Sequence, residues 1–256
     1  VLDWIAIASG LGVGLIVGIT GVGGGSLMTP LLLSVFKLNP AVAIGTDLWF
    51  ACLTKVSGSV AHARHGHVNW IVVRRLLAGS VPASIATIAL MHLSGVTKGW
   101  ASALTFSLGI ALLLTAAVVA FKASWQALGL KLERWIPESR KPWLTIISGL
   151  ILGVLVSLSS IGAGAIGATL ILLIYPRMKA RDIVGTDIAH AVPLTLVAGI
   201  GHASLGNVHW ALLGSLLIGS LPGIWLGAQL TRRLPDGVVR SLLCASLLMA
   251  GWKVIH

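Results

Sequence analysis

Long apolar runs follow one another along the chain, separated by short polar breaks, and none shows the polar–apolar alternation of a membrane strand. In the first half they fall at about 4–19, 26–36, 41–61, 70–91 and 100–121. In the second they fall at about 143–158, 165–175, 182–202, 208–230 and 237–255. Several reach the ~20 residues that a helix needs to cross a hydrocarbon core. The pattern predicts an all-α membrane protein of about ten hydrophobic helical segments, some short or re-entrant. Between the halves, residues 122–142 carry Pro137, Pro142 and five basic residues, and read as a connector.

The second segment of each half is too short to cross, and each follows a stretch of small residues. The first is Gly18-Ile-Thr-Gly-Val-Gly-Gly-Gly-Ser-Leu-Met-Thr-Pro30; the second, 139 residues on, is Ser157-Leu-Ser-Ser-Ile-Gly-Ala-Gly-Ala-Ile-Gly-Ala-Thr169. Thr20 then matches Ser159, Gly23 matches Gly162 and Gly25 matches Gly164. Further along, at an offset of 140, Gly45-Thr46-Asp47 recurs as Gly185-Thr186-Asp187, and His62, Gly66, Val68 and Trp70 recur as His202, Gly206, Val208 and Trp210. Low complexity reproduces Leu, Ala and Gly by chance, but not Asp, His and Trp at one spacing. The chain is an internal duplication.

Composition agrees with a membrane setting: 56% of the 256 residues are hydrophobic and 10% charged, against about a quarter charged in soluble domains. Lys and Arg number 18 against 7 acidic residues. Because the basic residues sit between apolar runs, topology explains the excess and nucleic acid does not. If each half crosses or re-enters five times, fourteen basic residues face one side and three the other, with Lys55 inside a span. If the first two segments of each half make one crossing, the split is eight against nine. Only the first count obeys the positive-inside bias. It predicts a first transmembrane repeat over 1–121, a cytoplasmic connector over 122–142 and a second, inverted repeat over 143–256, with both termini periplasmic in a bacterial inner membrane. Val1-Leu-Asp-Trp has no basic n-region of a signal peptide.

Eleven residues of helix span ~16 Å, short of a ~30 Å core, so both small-residue elbows are expected at membrane depth. Irregular backbone survives there only inside protein or beside a wet cavity. Each elbow feeds a helix start, whose free N–H groups and positive dipole end suit an anion. The candidate substrate-binding residues are Thr20, Gly21, Gly23, Gly24, Gly25 and Ser26 in the first copy. In the second they are Ser157, Ser159, Ser160, Gly162, Ala163, Gly164 and Ala165. Close helix packing is the alternative use of such residues.

Ionisable residues inside a span are functional suspects. Asp47 and Asp187 fall a turn or two into the third segment of each half; Lys55 lies two turns beyond Asp47, and His190 three residues beyond Asp187. These four are the coupling or gating candidates, with an Asp carrying a proton and Lys55 or His190 attracting the anion. The opposing reading makes them satisfied structural pairs. Soluble nucleotide motifs do not fit: no lysine follows Gly25 as a P-loop requires, and no βαβ unit surrounds the glycines. His62, His65 and His67 beside Arg64 read as a basic surface loop, so neither a metal nor a cofactor is expected. Cys52 and Cys244 lie inside spans and form no disulfide framework. No nucleophile–base pair or HExxH stands out, and the chain is not read as an enzyme.

Taken together, the two elbows, the doubled Gly-Thr-Asp and the doubled His-x3-Gly-x-Val-x-Trp make the chain resemble the TauE/SafE sulfite exporter family of membrane permeases, from Gly10 to about Leu230. The resemblance implies a secondary transporter of small sulfur-containing anions, such as sulfite, sulfoacetate or related organosulfonates, usually outward across the bacterial inner membrane. Alternating access between inverted repeats, with proton coupling as an option, is the mechanism expected; an anion channel, or a carrier of another small oxyanion or carboxylate, is the alternative. A small anion and membrane lipid are the expected partners, and the pattern is compatible with a homodimer.

Overall fold

The structure, a computed structural model, describes residues 3–20, 25–94, 98–230, 244, 245, 247 and 248. Among these, ten helices follow one another: α1 (Trp4–Thr20), α2 (Gly25–Ser34), α3 (Pro40–Arg64), α4 (Trp70–Leu93), α5 (Lys98–Ala120), α6 (Lys122–Leu132), α7 (Lys141–Ser159), α8 (Ala165–Ile174), α9 (Ala180–Ser204) and α10 (Trp210–Leu230). Nine of the ten apolar segments expected from the sequence appear as helices, with ends within three residues of those expected. The tenth, at 237–255, lies almost wholly outside the described residues. Five described helices are long and apolar enough to cross a bilayer: Trp70–Leu93, Trp100–Ala120, Lys141–Ser159, Ala180–Ser204 and Trp210–Gly227.

The connector departs from the expectation of a plain polar link. Its first eleven residues, Lys-Ala-Ser-Trp-Gln-Ala-Leu-Gly-Leu-Lys-Leu, form α6. Ala, Gln, Leu and Lys favour helix, and the breakers Pro137 and Pro142 come only after it. Gly129 brings α6 against α8, where an added Cβ would stand 3.1 Å from the Leu172 carbonyl oxygen.

Local signals set the long helices. Asn39 accepts the Ala41 N–H (3.0 Å) just before Pro40 opens α3, and Asn69 accepts the N–H groups of Ile71 and Val72 at the start of α4. These are ordinary N-caps. After α3 and after α9 the chain makes the same turn. Gly66 (φ 70°) and Gly206 (φ 74°) are left-handed, and the His67 and Asn207 N–H groups reach back 2.9 Å to the carbonyls of His62 and His202.

Small residues let helices of opposite halves touch backbone to backbone. Along α1 and α10, Gly10 lies on Leu216, Gly14 on Ser220, Gly219 on Ile7 and Gly223 on Leu11. Along α7 and α4, Gly149 lies on Leu76, Gly153 on Ser80 and Gly79 on Ile146. An added Cβ at Gly79 would stand 2.0 Å from the Ile146 carbonyl oxygen, and one at Gly219 would stand 1.9 Å from that of Ile7. This is the small-residue seam of membrane helices. Residue numbers rise together along both seams, so α1 runs parallel to α10 and α7 parallel to α4.

The centre is the pair α3 and α9. Gly45 meets His202, Trp49 Nε1 donates to the Gly199 carbonyl (3.0 Å), Gly58 meets Ile188 and Gly185 meets His62. The numbers run in opposite senses, so α3 and α9 are antiparallel, and α1 and α7 therefore point in opposite directions. Thr46 Oγ1 accepts the His209 N–H at 3.0 Å, and Thr186 Oγ1 accepts the Asn69 N–H at 3.0 Å. Each half thus uses its Gly-Thr-Asp to clasp the turn before the fourth helix of the other.

The connections sort to two ends. At one end His67 Nδ1 pairs with Asp182 (3.2 Å), Arg177 with Glu133 (3.0 Å), and Arg75 Nη1 donates to the Tyr175 hydroxyl (3.2 Å). Arg64, Arg74, Arg140 and Arg181 join them by position. The turn at 205–209 and the start of α3 share the other end, where Gly45 touches Asn207.

Candidate functional site

The Gly-Thr-Asp motifs place Asp47 and Asp187 in the middle of the bundle, 0% and 2% exposed. Nearly complete burial of a carboxylate is costly without partners, so what surrounds each matters. Thr29, one turn into the short helix α2, donates its hydroxyl to Asp47 Oδ2. Asp47 Oδ1 has no hydrogen-bond partner among the described residues, but Ser160 of the second elbow lies beside it, close enough for its hydroxyl to act on the carboxylate. Asp187 meets the matching turn of α8, where Gly167 stands against it. An added Cβ there would be 2.0 Å from Asp187 Oδ1, so the missing side chain makes room for the carboxyl group.

Lys55 is the cation that acts on both carboxylates. It sits two turns beyond Asp47 on α3, and its Nζ donates to the Ala163 carbonyl at 2.6 Å. A side chain from the first half therefore closes on the elbow of the second. One positive charge facing two carboxylates leaves the cluster short of neutrality.

The second elbow is shaped by unusual backbone. Ser160 ends α7 in the left-handed region (φ 59°, ψ 1°), and Gly162 (φ 131°) and Gly164 (φ 147°) follow with positive φ. Such values cost a side-chain-bearing residue about 1–3 kcal/mol. The result is a helix start that leaves its first amides uncapped. Gly167 N–H bonds the Gly162 carbonyl (2.8 Å) and Ala168 N–H that of Gly164 (2.9 Å). The N–H groups of Gly162, Ala163, Gly164, Ala165 and Ile166 meet no acceptor among the described residues, and no side chain caps α8. Leu108 and Leu112 of α5 pack beside Ile161 in one apolar cluster, and Ser107 Oγ donates to the Leu158 carbonyl (3.1 Å), so α5 covers this elbow.

The three serines of the elbow differ. Ser157 Oγ donates to Ser84 Oγ (2.8 Å), and Ser159 Oγ donates to the Leu155 carbonyl (2.6 Å) while accepting the Ile161 N–H (3.2 Å). Both hydroxyls serve helix packing and the turn. Only Ser160 keeps a buried hydroxyl without a partner. His190 Nε2 pairs with Ser80 Oγ at 2.9 Å, both groups fully buried. His202 Nε2 meets the Ser157 carbonyl at 2.9 Å, tying α9 to α7.

In the first copy, Gly21, Gly23 and Gly24 lie outside the described residues, as do the side chains of Thr20 and Ser26; Gly25 begins α2. The structure therefore brings together Asp47, Lys55, Ser160, Ala163 and the amides after it, with Asp187 and His190 alongside. Sequence reasoning missed Thr29, Gly167, Ser80 and Ser84. The signal for Thr29 and Gly167 was available, since each lies one helical turn past a small-residue elbow.

A family model described as "Sulfite exporter TauE/SafE" matches residues 6–254. The chain is 38% identical over 252 residues to the "Probable membrane transporter protein YjnA" of Bacillus subtilis (strain 168), covering 97% of this chain and 98% of that one. It is 26% identical over 240 residues to the "Probable membrane transporter protein YdhB" of the same organism, covering 93% and 94%. A "Probable membrane transporter protein" of Xylella fastidiosa (strain Temecula1 / ATCC 700964) is 28% identical over 232 residues, covering 90% and 85%. No solved structure matches.

Proposed function

Since this chain belongs to the TauE/SafE sulfite exporter family, we propose that it is a secondary transporter of small sulfur-containing anions, sulfite or organosulfonates such as sulfoacetate. It is a multi-pass membrane transporter rather than an enzyme. The finer reading rests on one observation: Lys55 Nζ closes on the Ala163 carbonyl beside five backbone N–H groups that lack acceptors. Those amides sit at a helix N-terminus, the first two of them on buried residues, where hydrogen bonds to an oxyanion are favoured. The substrate takes the N–H groups of Gly162–Ile166 and the hydroxyl of Ser160, and Lys55 turns from the carbonyl toward it. The first elbow, Gly21–Ser26, supplies the matching half-site.

The antiparallel α3 and α9, each clasping the other half through Thr46 and Thr186, support reading the halves 1–121 and 143–256 as inverted repeats. Rocking one against the other opens the shared centre first to one side and then to the other. The basic end, with Arg75, Arg140 and Arg177, faces the cytoplasm, so the termini are periplasmic and the membrane is the bacterial inner membrane.

Sulfite, sulfoacetate, taurine and sulfate titrated against purified protein test the substrate class. A ligand that binds only the folded state raises the melting temperature by its mass-action share. Sulfite or sulfoacetate is expected to raise it at concentrations where sulfate does not. A shift with none of the four removes the organosulfur assignment.

A further inference from the structure

We infer that the two buried aspartates have different jobs: Asp187 takes up and releases the coupling proton, while Asp47 stays a fixed carboxylate. This rests on the transport reading above and assigns a role within it. The duplication is broken around these two residues.

Both halves lay the first turn of a short helix on the aspartate of the next, but the contacts differ. Thr29 donates to Asp47, and at the matching offset of 139 the second half has Ala168, which has no donor. Ser160 stands beside Asp47, and its counterpart at the same offset is Gly21. The hydroxyl that donates to Asp47 and the one that lies beside it are thus both missing around Asp187. Each aspartate has a buried Oδ1 with no hydrogen-bond partner among the described residues; of the two, only Asp47 has a hydroxyl donated to its other oxygen. A hydroxyl that donates to a carboxylate holds it ionised; a bare buried oxygen is where a proton relieves the cost of charge.

A polar file beside Asp187 has no twin either. One turn along α9, His190 pairs with buried Ser80, its Nδ1 lacking a partner, and Ser84 pairs with Ser157 on the same α4–α7 seam. The positions that repeat His190, Ser84 and Ser157 are Phe50, Ile224 and Gly18. Of the file only Ser80 has a polar counterpart, Ser220, whose hydroxyl is taken up by the Leu217 carbonyl of its own helix; with Phe50 in the place of His190, the polar route that leads to Asp187 is not repeated beside Asp47.

The groups facing Asp187 can be named element by element. From α3 come Lys55 and, sharing that ammonium, Asp47. Two residues before Asp187, Gly185 meets His62 and the His67 carbonyl, and His67 pairs with Asp182 at the helix start. From α9 itself comes His190, and α8 brings the Cα of Gly167. With both carboxylates ionised and Lys55 charged, the cluster carries one net negative charge and repels an anion. A proton taken from water onto Asp187 Oδ1 makes that group a neutral carboxyl and the cluster neutral, and the anion enters. The anion leaves as the proton returns to water on the other side. Proton and anion therefore travel together, one to one for a monovalent anion.

Infrared difference spectra of the protein in lipid, recorded across a pH series without any substrate, read the protonation directly through the carbonyl stretch of a neutral carboxyl group. The wild type is expected to show such a band, Asp47→Asn to keep it and Asp187→Asn to lose it. Ala168→Thr, which restores the missing hydroxyl, is expected to displace the titration toward lower pH without a change in fold. A band that persists in Asp187→Asn, or none in the wild type, overturns the assignment. In proteoliposomes the same variants are tested with radiolabelled methanesulfonate, whose charge does not change over the range. Ala168→Thr is expected to move the acceleration of methanesulfonate uptake by an inward proton gradient to lower pH, and Asp187→Asn to lose that acceleration; retained acceleration in Asp187→Asn overturns the assignment. A correct infrared result with no movement of methanesulfonate or sulfite in the wild type leaves the proton site standing and removes the transport reading.

Discussion

Lys55 on the central helix of the first half donates to the carbonyl of Ala163 in the elbow of the second, 108 residues away in sequence and 2.6 Å in space. The contact joins the ammonium in the middle of α3 to the backbone that turns into α8. On the proposed transport reading, an anion approaching the amides after Ile161 meets a cation already held by a neutral acceptor.

Removing that cation leaves two buried carboxylates uncompensated. Lys55→Met removes the cation whose field reaches both carboxylates, so it is expected to lower the melting temperature and abolish sulfite binding. Lys55→Met combined with Asp47→Asn should recover much of the stability but none of the binding. Equal stability of the single and double variants would show that Lys55 and Asp47 are not coupled.

Gly164 holds a φ of 147° and ψ of −112°, a conformation open to glycine and almost nothing else. Gly164→Ala strains the elbow by about 1–3 kcal/mol and turns the amides of Ala165 and Ile166 away from the centre. The expected result is a protein with unchanged circular dichroism that no longer gains thermal stability from sulfite. A preserved gain would place the anion elsewhere.

Methanesulfonate should bind more tightly as pH falls. The sign follows from charge: the proton cancels one of two carboxylates facing one ammonium, and the remaining neutral cluster accepts an anion that the negative one repels. In Asp187→Asn the affinity should be high and flat across the same range. Calorimetric titration at several pH values reads both, and a pH-dependent affinity in the variant would contradict this assignment.

The ends of the bundle can be told apart chemically. Single cysteines replacing Lys37 and Glu138, in a background with Cys52 and Cys244 changed to Ser, are expected to react with a membrane-impermeant thiol reagent from opposite faces of inside-out and right-side-out vesicles. Labelling of both from the same face would contradict the positive-inside assignment of the connector.

Much of this architecture was legible because apolar length is a strong signal. Nine segments became helices, and Asp47 and Asp187 were found by their shared Gly-Thr-Asp before any geometry was known. The α6 helix was less legible, since its charged and aromatic residues look like a linker until Gly129 is seen against Leu172 and Pro176. Helix partners were not legible at all. Gly10 and Gly14 announce a close approach but not to what, and their contact with Leu216 and Ser220 depends on both halves folding together. The serines of the second elbow illustrate the same limit. Ser157, Ser159 and Ser160 are near neighbours with the same hydroxyl, and only the left-handed turn at Ser160 separates the one facing Asp47 from the two that hold helices together.

The most direct test of the central claim, that an anion is carried by amides and Lys55 at the meeting of two opposed halves, is counterflow of radiolabelled sulfite into proteoliposomes preloaded with unlabelled sulfite. The account predicts saturable uptake that is accelerated by internal sulfite and absent from Lys55→Met. Uptake that rises without saturation and ignores internal sulfite, or that survives in Lys55→Met, would contradict it.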